Sequence, residues 1–234
     1  MESAVALSAV AVLAAALRRP AGGRHAGYAQ EFTEQLAPCG ALHPGNAWSS
    51  VVYTVLGLYL LASTADMRPW CRRSEGATLL WFSWLSFHFH ATESAWSNAL
   101  DITMVTHLCM SCLTHCLGLP DLACVGLAWT ATGGLLANAW SHRADPSAAA
   151  CVKHMVPLLA PLVAALLCLQ AQAGAWGRFA AFGGGFAVKL ADRRLAAGGV
   201  RAGVVNGTSM FHLLTGAAMY LHYAEVLPLG SSAQ

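Results

Sequence analysis

The sequence is short of charge. Of its 234 residues only 10% are Asp, Glu, Lys or Arg, against about 25% in an average soluble domain. Thirteen Lys and Arg with 11 Asp and Glu are too few to cover a water-facing surface at this length. The formal net charge is +2 and no basic block stands out, so nucleic acid is not an expected partner. No basic residue precedes the first apolar stretch, which therefore lacks the positive start of a secretory signal. The eight cysteines do not form a framework of extracellular type. Cys109, Cys112 and Cys116 follow helical spacing inside an apolar run, where they read as small packing residues. What the chain has in excess is apolar residues, 56% of the total. The class left standing is a polytopic membrane protein.

Residues 3–17 are apolar and end at Arg18-Arg19-Pro20. They are shorter than the ~20 residues a membrane span needs, so residues 1–19 fit a signal sequence, a weak anchor or an extra apolar surface helix. Residues 20–46 hold Gly, Pro and charge, and read as a loop or interfacial segment. Seven apolar runs then fill residues 47–228, at roughly 47–65, 76–92, 99–118, 120–140, 151–173, 175–191 and 202–228. Breakers separate them, among them Arg68-Pro69, Gly118-Leu119-Pro120, His142–Pro146 and Gly174. Most runs are long enough to cross ~30 Å of hydrocarbon as a helix. The predicted fold is an all-α membrane protein, a seven-transmembrane helix bundle, with a tail at 229–234. Nine basic residues fall on one side of such a bundle and four on the other, which favours the first side as cytoplasmic. Without residues 1–19 the ratio drops to seven against four.

Ionisable residues inside a span are costly and point to function. Here they are His88, His90, Asp101, His107, His115, His154, His212 and His222. His90 ends the second predicted helix, Asp101 starts the third, and His212 lies in the first half of the seventh. All three fall near one membrane face. Ser86 precedes His90 by one helical turn, and Thr208 precedes His212 by the same interval. Two imidazoles and a carboxylate at one depth are ligand types that suit zinc. Histidines also serve as plain inter-helix hydrogen-bonders in bundles. His88 lies about 200° from His90 around a helix and faces elsewhere. His107, His115 and His222 sit deeper and read as structural. Asn206-Gly207-Thr208 matches a glycosylation sequon but lies against the last run, and reads as chance.

The pattern Ser86-Phe87-His88-Phe89-His90-Ala91-Thr92, with Asp101 eleven residues after His90, resembles the second and third helices of the alkaline ceramidase family. That family belongs to a superfamily of seven-span hydrolases that includes progestin and adiponectin receptors and GPI-lipid remodelling factors. Phe211-His212-Leu213-Leu214-Thr215-Gly216, onward to His222, is similar to the family's seventh-helix signature. Cys39-Gly40-Ala41-Leu42-His43-Pro44-Gly45-Asn46-Ala47-Trp48-Ser49 is similar to its segment entering the first helix. In order, the resemblance spans roughly residues 36–228.

The resemblance implies a multi-pass membrane hydrolase, of the endoplasmic reticulum or Golgi in a eukaryotic cell. It implies cleavage of the N-acyl bond of ceramide or a related lipid, giving a sphingoid base and a fatty acid. In the family three histidines and a water bind zinc. Carried over, His90 and His212 are zinc ligands, Asp101 orients the water or shuttles protons, and Ser86 stabilises the site or the developing oxyanion. Two departures matter. The first histidine of the family's His-x3-His is Thr208 here, which leaves the ligand set one short. Asp101, or His154 at the start of the fifth helix, is a candidate to complete it. The acidic residues that hold calcium in the animal enzymes are replaced by Ala37, Pro38, Gly40 and His43, so calcium is not expected. The alternative is a catalytically inactive, lipid-binding or receptor-like member of the superfamily. A retinal-binding pump is disfavoured, because the seventh helix carries no lysine and Lys189 ends the sixth.

Overall fold

A computed structural model describes residues 44–62, 69–92, 95–141, 149–197 and 205–226. Residues 1–19, most of the 20–46 segment with Ala37, Pro38, Gly40 and His43, and the 229–234 tail lie outside the described residues. Among the described residues every regular element is a helix. They are α1 Pro44–Ser49, α2 Val51–Ala62, α3 Pro69–Thr92, α4 Ala95–Cys116, α5 Asp121–Ser141, α6 Ala149–Gln172, α7 Trp176–Ala197 and α8 Gly207–Val226. The all-α class expected from the sequence is what the structure has.

Two boundaries differ from expectation. Helix begins at Pro44, inside the segment read as a loop. Proline suits a first helical position, because its missing N–H is not needed there. The first apolar run is also not one helix, since the chain turns at Ser50. The hydroxyls of Ser49 and Ser50 both turn back to the carbonyl oxygen of Asn46, at 2.9 and 3.1 Å. Such local bonds compete with the helical ladder. The Ser50 carbonyl in turn accepts from the Ser83 hydroxyl of α3 at 2.8 Å.

The other six runs each hold one helix. Gly118 and Gly174 end α4 and α6 at φ 68° each, where a side chain would be strained. Leu119 N–H donates to Thr114 O and Ala175 N–H to Gln170 O, the bonds of a Schellman stop. Asn206 caps α8: its side-chain oxygen accepts from the N–H groups of Thr208 and Ser209 at 2.9 and 3.0 Å. The asparagine of the sequon is thus buried and engaged.

α4 packs on α3, α5 and α6; α7 packs on α6 and α8; α8 returns to α1 and α2, which pack on α3. α2 and α3 touch through glycine. A Cβ on Gly57 would come within 2.8 Å of the Gly76 carbonyl oxygen, and one on Gly76 within 2.9 Å of that of Gly57. The core between the helices is polar as well as apolar. Tyr53, Phe82, Leu100 and Leu108 are buried, and so are Ser50, Thr78, Ser86, Thr103 and Ser111. His107 uses Nδ1 to reach the Thr132 hydroxyl of α5 at 2.8 Å, in line with its structural reading.

Among the described residues no helix is long and apolar enough to cross a membrane. α2 has 12 residues, about 18 Å of helix. α3 and α4 are long enough, but they carry serine, threonine, asparagine and histidine on their inward faces.

Gly57→Ala and Gly76→Ala are each expected to lower stability by about 1–3 kcal/mol, because the new methyl meets main chain. Gly126→Ala, with open space around it, is expected to be neutral or slightly stabilising. Thermal denaturation of the purified variants checks the contrast.

Candidate active site

The corner between α1 and α2, the C-terminal end of α3 and the first turns of α8 meet in one buried polar cluster. His90 comes from the last turn of α3 and His212 from the second turn of α8. Their ring centroids are 5.1 Å apart at 59°, and both are buried, at 0% and 2% exposure. Three serines surround them. Ser49 Oγ lies 2.7 Å from His212 Nδ1. Ser50 Oγ lies 3.5 Å from the same nitrogen and donates to Ser86 Oγ at 3.2 Å. Tyr53 stacks edge-on against His212, with centroids 5.8 Å apart, and bonds the Thr215 hydroxyl one turn along α8.

Ser86 is fully buried one turn before His90, as its spacing predicted. Asp101 is buried in the second turn of α4. Thr208 is buried in the first turn of α8, one turn before His212, with its N–H bound to the capping Asn206. The side chain of His154 lies outside the described residues. A narrow apolar cavity runs behind His212, lined by Tyr53, Phe82, Leu108, Phe182, Phe186 and Phe211.

The donor set fits zinc in part. Two buried imidazoles lie side by side in a polar cluster, and imidazole is a good zinc ligand. Among the described residues, however, no group of three His, Cys, Asp or Glu is gathered to hold a metal ion. The buried Thr208 hydroxyl is a poor zinc ligand, because it keeps its proton at neutral pH.

A second polar cluster lies toward the opposite ends of these helices. Glu75 of α3, 1% exposed, accepts from the Ser111 hydroxyl at 2.6 Å and the Tyr223 hydroxyl at 2.8 Å. Nearby, Arg178 pairs with Glu225 at 2.9 Å and reaches His222 Nδ1 at 3.2 Å. His222 Nε2 is 3.4 Å from His115 Nδ1, with the two rings stacked. His115 and His222 are therefore inter-helix hydrogen-bonders, as read from the sequence. Cys109, Cys112 and Cys124 are buried as free thiols.

Sequence reasoning missed Ser49, Ser50 and Glu75. Ser49 and Ser50 sit where an apolar run begins and look like ordinary helix-entry residues. Only the approach of α8 gives them a partner. Glu75 follows Arg72-Arg73 and reads as part of a polar edge.

No family model matches the chain, and neither a curated protein nor a solved structure matches it significantly.

Tyr223→Phe and Ser111→Ala each remove a hydrogen bond to the buried Glu75 carboxylate. Each is expected to cost about 1.5–3 kcal/mol of stability. Tyr220→Phe, on the exposed face of α8, is expected to stay within about 0.5 kcal/mol of wild type. Parallel denaturation curves check this.

Proposed function

We propose that the chain is an intramembrane amidohydrolase resembling the alkaline ceramidases, acting on ceramide or a related N-acyl lipid. The observation that carries this reading is the close, buried approach of His90 and His212 from helices far apart in sequence. In this reading His90 and His212 would hold zinc, with His154 the candidate to complete the set, since Asp101 is not gathered with the two histidines. Zinc, when bound, lowers the pKa of a water towards neutrality and polarises a carbonyl. Asp101 takes the proton from the attacking water and returns it to the leaving amine. The Ser86 hydroxyl, one turn from His90, donates towards the negative charge that develops on the carbonyl oxygen. Burial of the cluster excludes bulk water from both steps.

The membrane setting is part of the same proposal, with the seven apolar runs as the spanning segments and α1 and α2 together forming the first. It is supported by which side chains face outward. Val55, Leu58, Leu61, Leu122, Leu127 and Leu213 are exposed while serines, threonines and histidines are buried. Exposed Trp48 and Trp140 lie toward one end of the bundle and Trp176 lies at the other, the placement tryptophan takes at the two interfaces of a bilayer. The inward polar faces lower the helices' mean hydropathy while much of their polar surface stays out of lipid. Ceramide, with two apolar chains, partitions into the same layer as the site.

The second reading is a catalytically inactive lipid-binding member of that superfamily. It is favoured by Thr208 at the position of the family's first histidine and by the two-imidazole cluster.

Detergent-purified protein supplied with zinc is expected to release fatty acid from short- or long-chain ceramide. His90→Ala and Asp101→Asn are expected to lower turnover at least 100-fold, and a strong chelator to abolish it. No turnover on any N-acyl lipid by folded, zinc-supplied wild type, with ceramide still bound, would sink the enzyme reading in favour of the second one.

A further inference from the structure

We propose that Ser49 is a positioning residue for His212: it holds the ring with its proton on Nδ1 and so leaves Nε2 as the lone-pair nitrogen available to a metal. The metal clause rests on the zinc reading above; the tautomer stands without it.

Ser49 ends α1, at the corner where the chain turns into α2. A serine hydroxyl has one proton and two lone pairs. The Ser49 oxygen is 2.9 Å from the Asn46 carbonyl oxygen and 2.7 Å from His212 Nδ1. A carbonyl oxygen can only accept. The hydroxyl gives its proton to Asn46, and its lone pairs then face Nδ1, which must supply an N–H. Ser50 fits the same direction. Its proton is used on Asn46 O at 3.1 Å or Ser86 Oγ at 3.2 Å, and it stands off from Nδ1 at 3.5 Å. The bonds run from Nδ1–H to Ser49 Oγ–H to a main-chain carbonyl. That last atom is fixed by the α1 backbone, so the chain of bonds sets ring orientation as well as tautomer.

A neutral imidazole with a proton on Nδ1 accepts only through Nε2. Metal-bound histidines commonly donate their other N–H to such a partner, and losing it lowers metal affinity about ten- to a hundredfold. Asn46 and His212 are both 2% exposed, and Ser49 between them is part-buried.

The test is 15N NMR of ring-labelled histidine in detergent-solubilised protein, with His212 assigned by the signal lost in His212→Asn. Wild type, Ser49→Ala and Ser49→Thr are compared, each first shown to melt cooperatively. Wild type and Ser49→Thr are expected to hold His212 as the Nδ1–H tautomer, and Ser49→Ala to shift toward Nε2–H. Cobalt titration, read by its visible absorption, is expected to show about tenfold or weaker binding in Ser49→Ala and near-wild-type binding in Ser49→Thr. A wild-type His212 protonated on Nε2, or an unchanged tautomer in Ser49→Ala, overturns the proposal. Absence of cobalt binding in wild type overturns the zinc reading and the metal clause with it, while the NMR result still decides the role of Ser49.

Discussion

Burying hydroxyls, imidazoles and a carboxylate between helices costs free energy unless each polar atom finds a partner, and that demand organises this chain. The seven longer helices do not meet through an apolar core alone. Ser50, Ser83 and Ser86 tie α2 to α3, His107 and Thr132 tie α4 to α5, and Glu75 gathers Ser111 of α4 and Tyr223 of α8. Many polar groups are turned inward, and leucine, valine and tryptophan are prominent among the exposed side chains. Such an arrangement suits an apolar solvent, where an unpaired polar group costs most.

The polar groups collect at two poles. One holds His90, His212 and the serines at the α1–α2 corner; the other holds Glu75, Arg178, His115 and His222. Between them lie Tyr53, Phe82, Leu108 and Phe182 around the narrow cavity. The two poles differ in what their groups can do. At the second pole Glu75 is acceptor to two hydroxyls, and Arg178 uses its terminal nitrogens on Glu225 and His222. Arginine has no acceptor atom, so His222 must accept from it and pass its Nε2–H to His115. At the first pole Ser49 and Ser50 both approach one nitrogen of His212, Nδ1, at 2.7 and 3.5 Å.

Local rules were legible in the sequence. The one-turn intervals Ser86–His90 and Thr208–His212 place each pair on one helix, and the structure has them there. Gly118 and Gly174 announced the ends of α4 and α6, because only glycine takes that backbone conformation cheaply. The separation of His88 from His90 also holds: His90 is fully buried while His88 is only half-buried against Trp84. What the sequence concealed were long-range partners. The break at Ser50 has no glycine or proline to mark it; it depends on hydroxyls that choose Asn46 and on α3 supplying Ser83. Glu75 was hidden for the same reason, since its donors come from two other helices. The apolar runs located the helices, but their periodicity did not show which of their polar residues share an inward face.

The account stands or falls on whether the His90–His212 pair holds a metal. Zinc content of detergent-purified, zinc-supplied protein, wild type beside His212→Ala, measures this directly. The account predicts near one zinc per chain in wild type and loss in the variant. No zinc in folded wild type, or equal zinc in both, would contradict it.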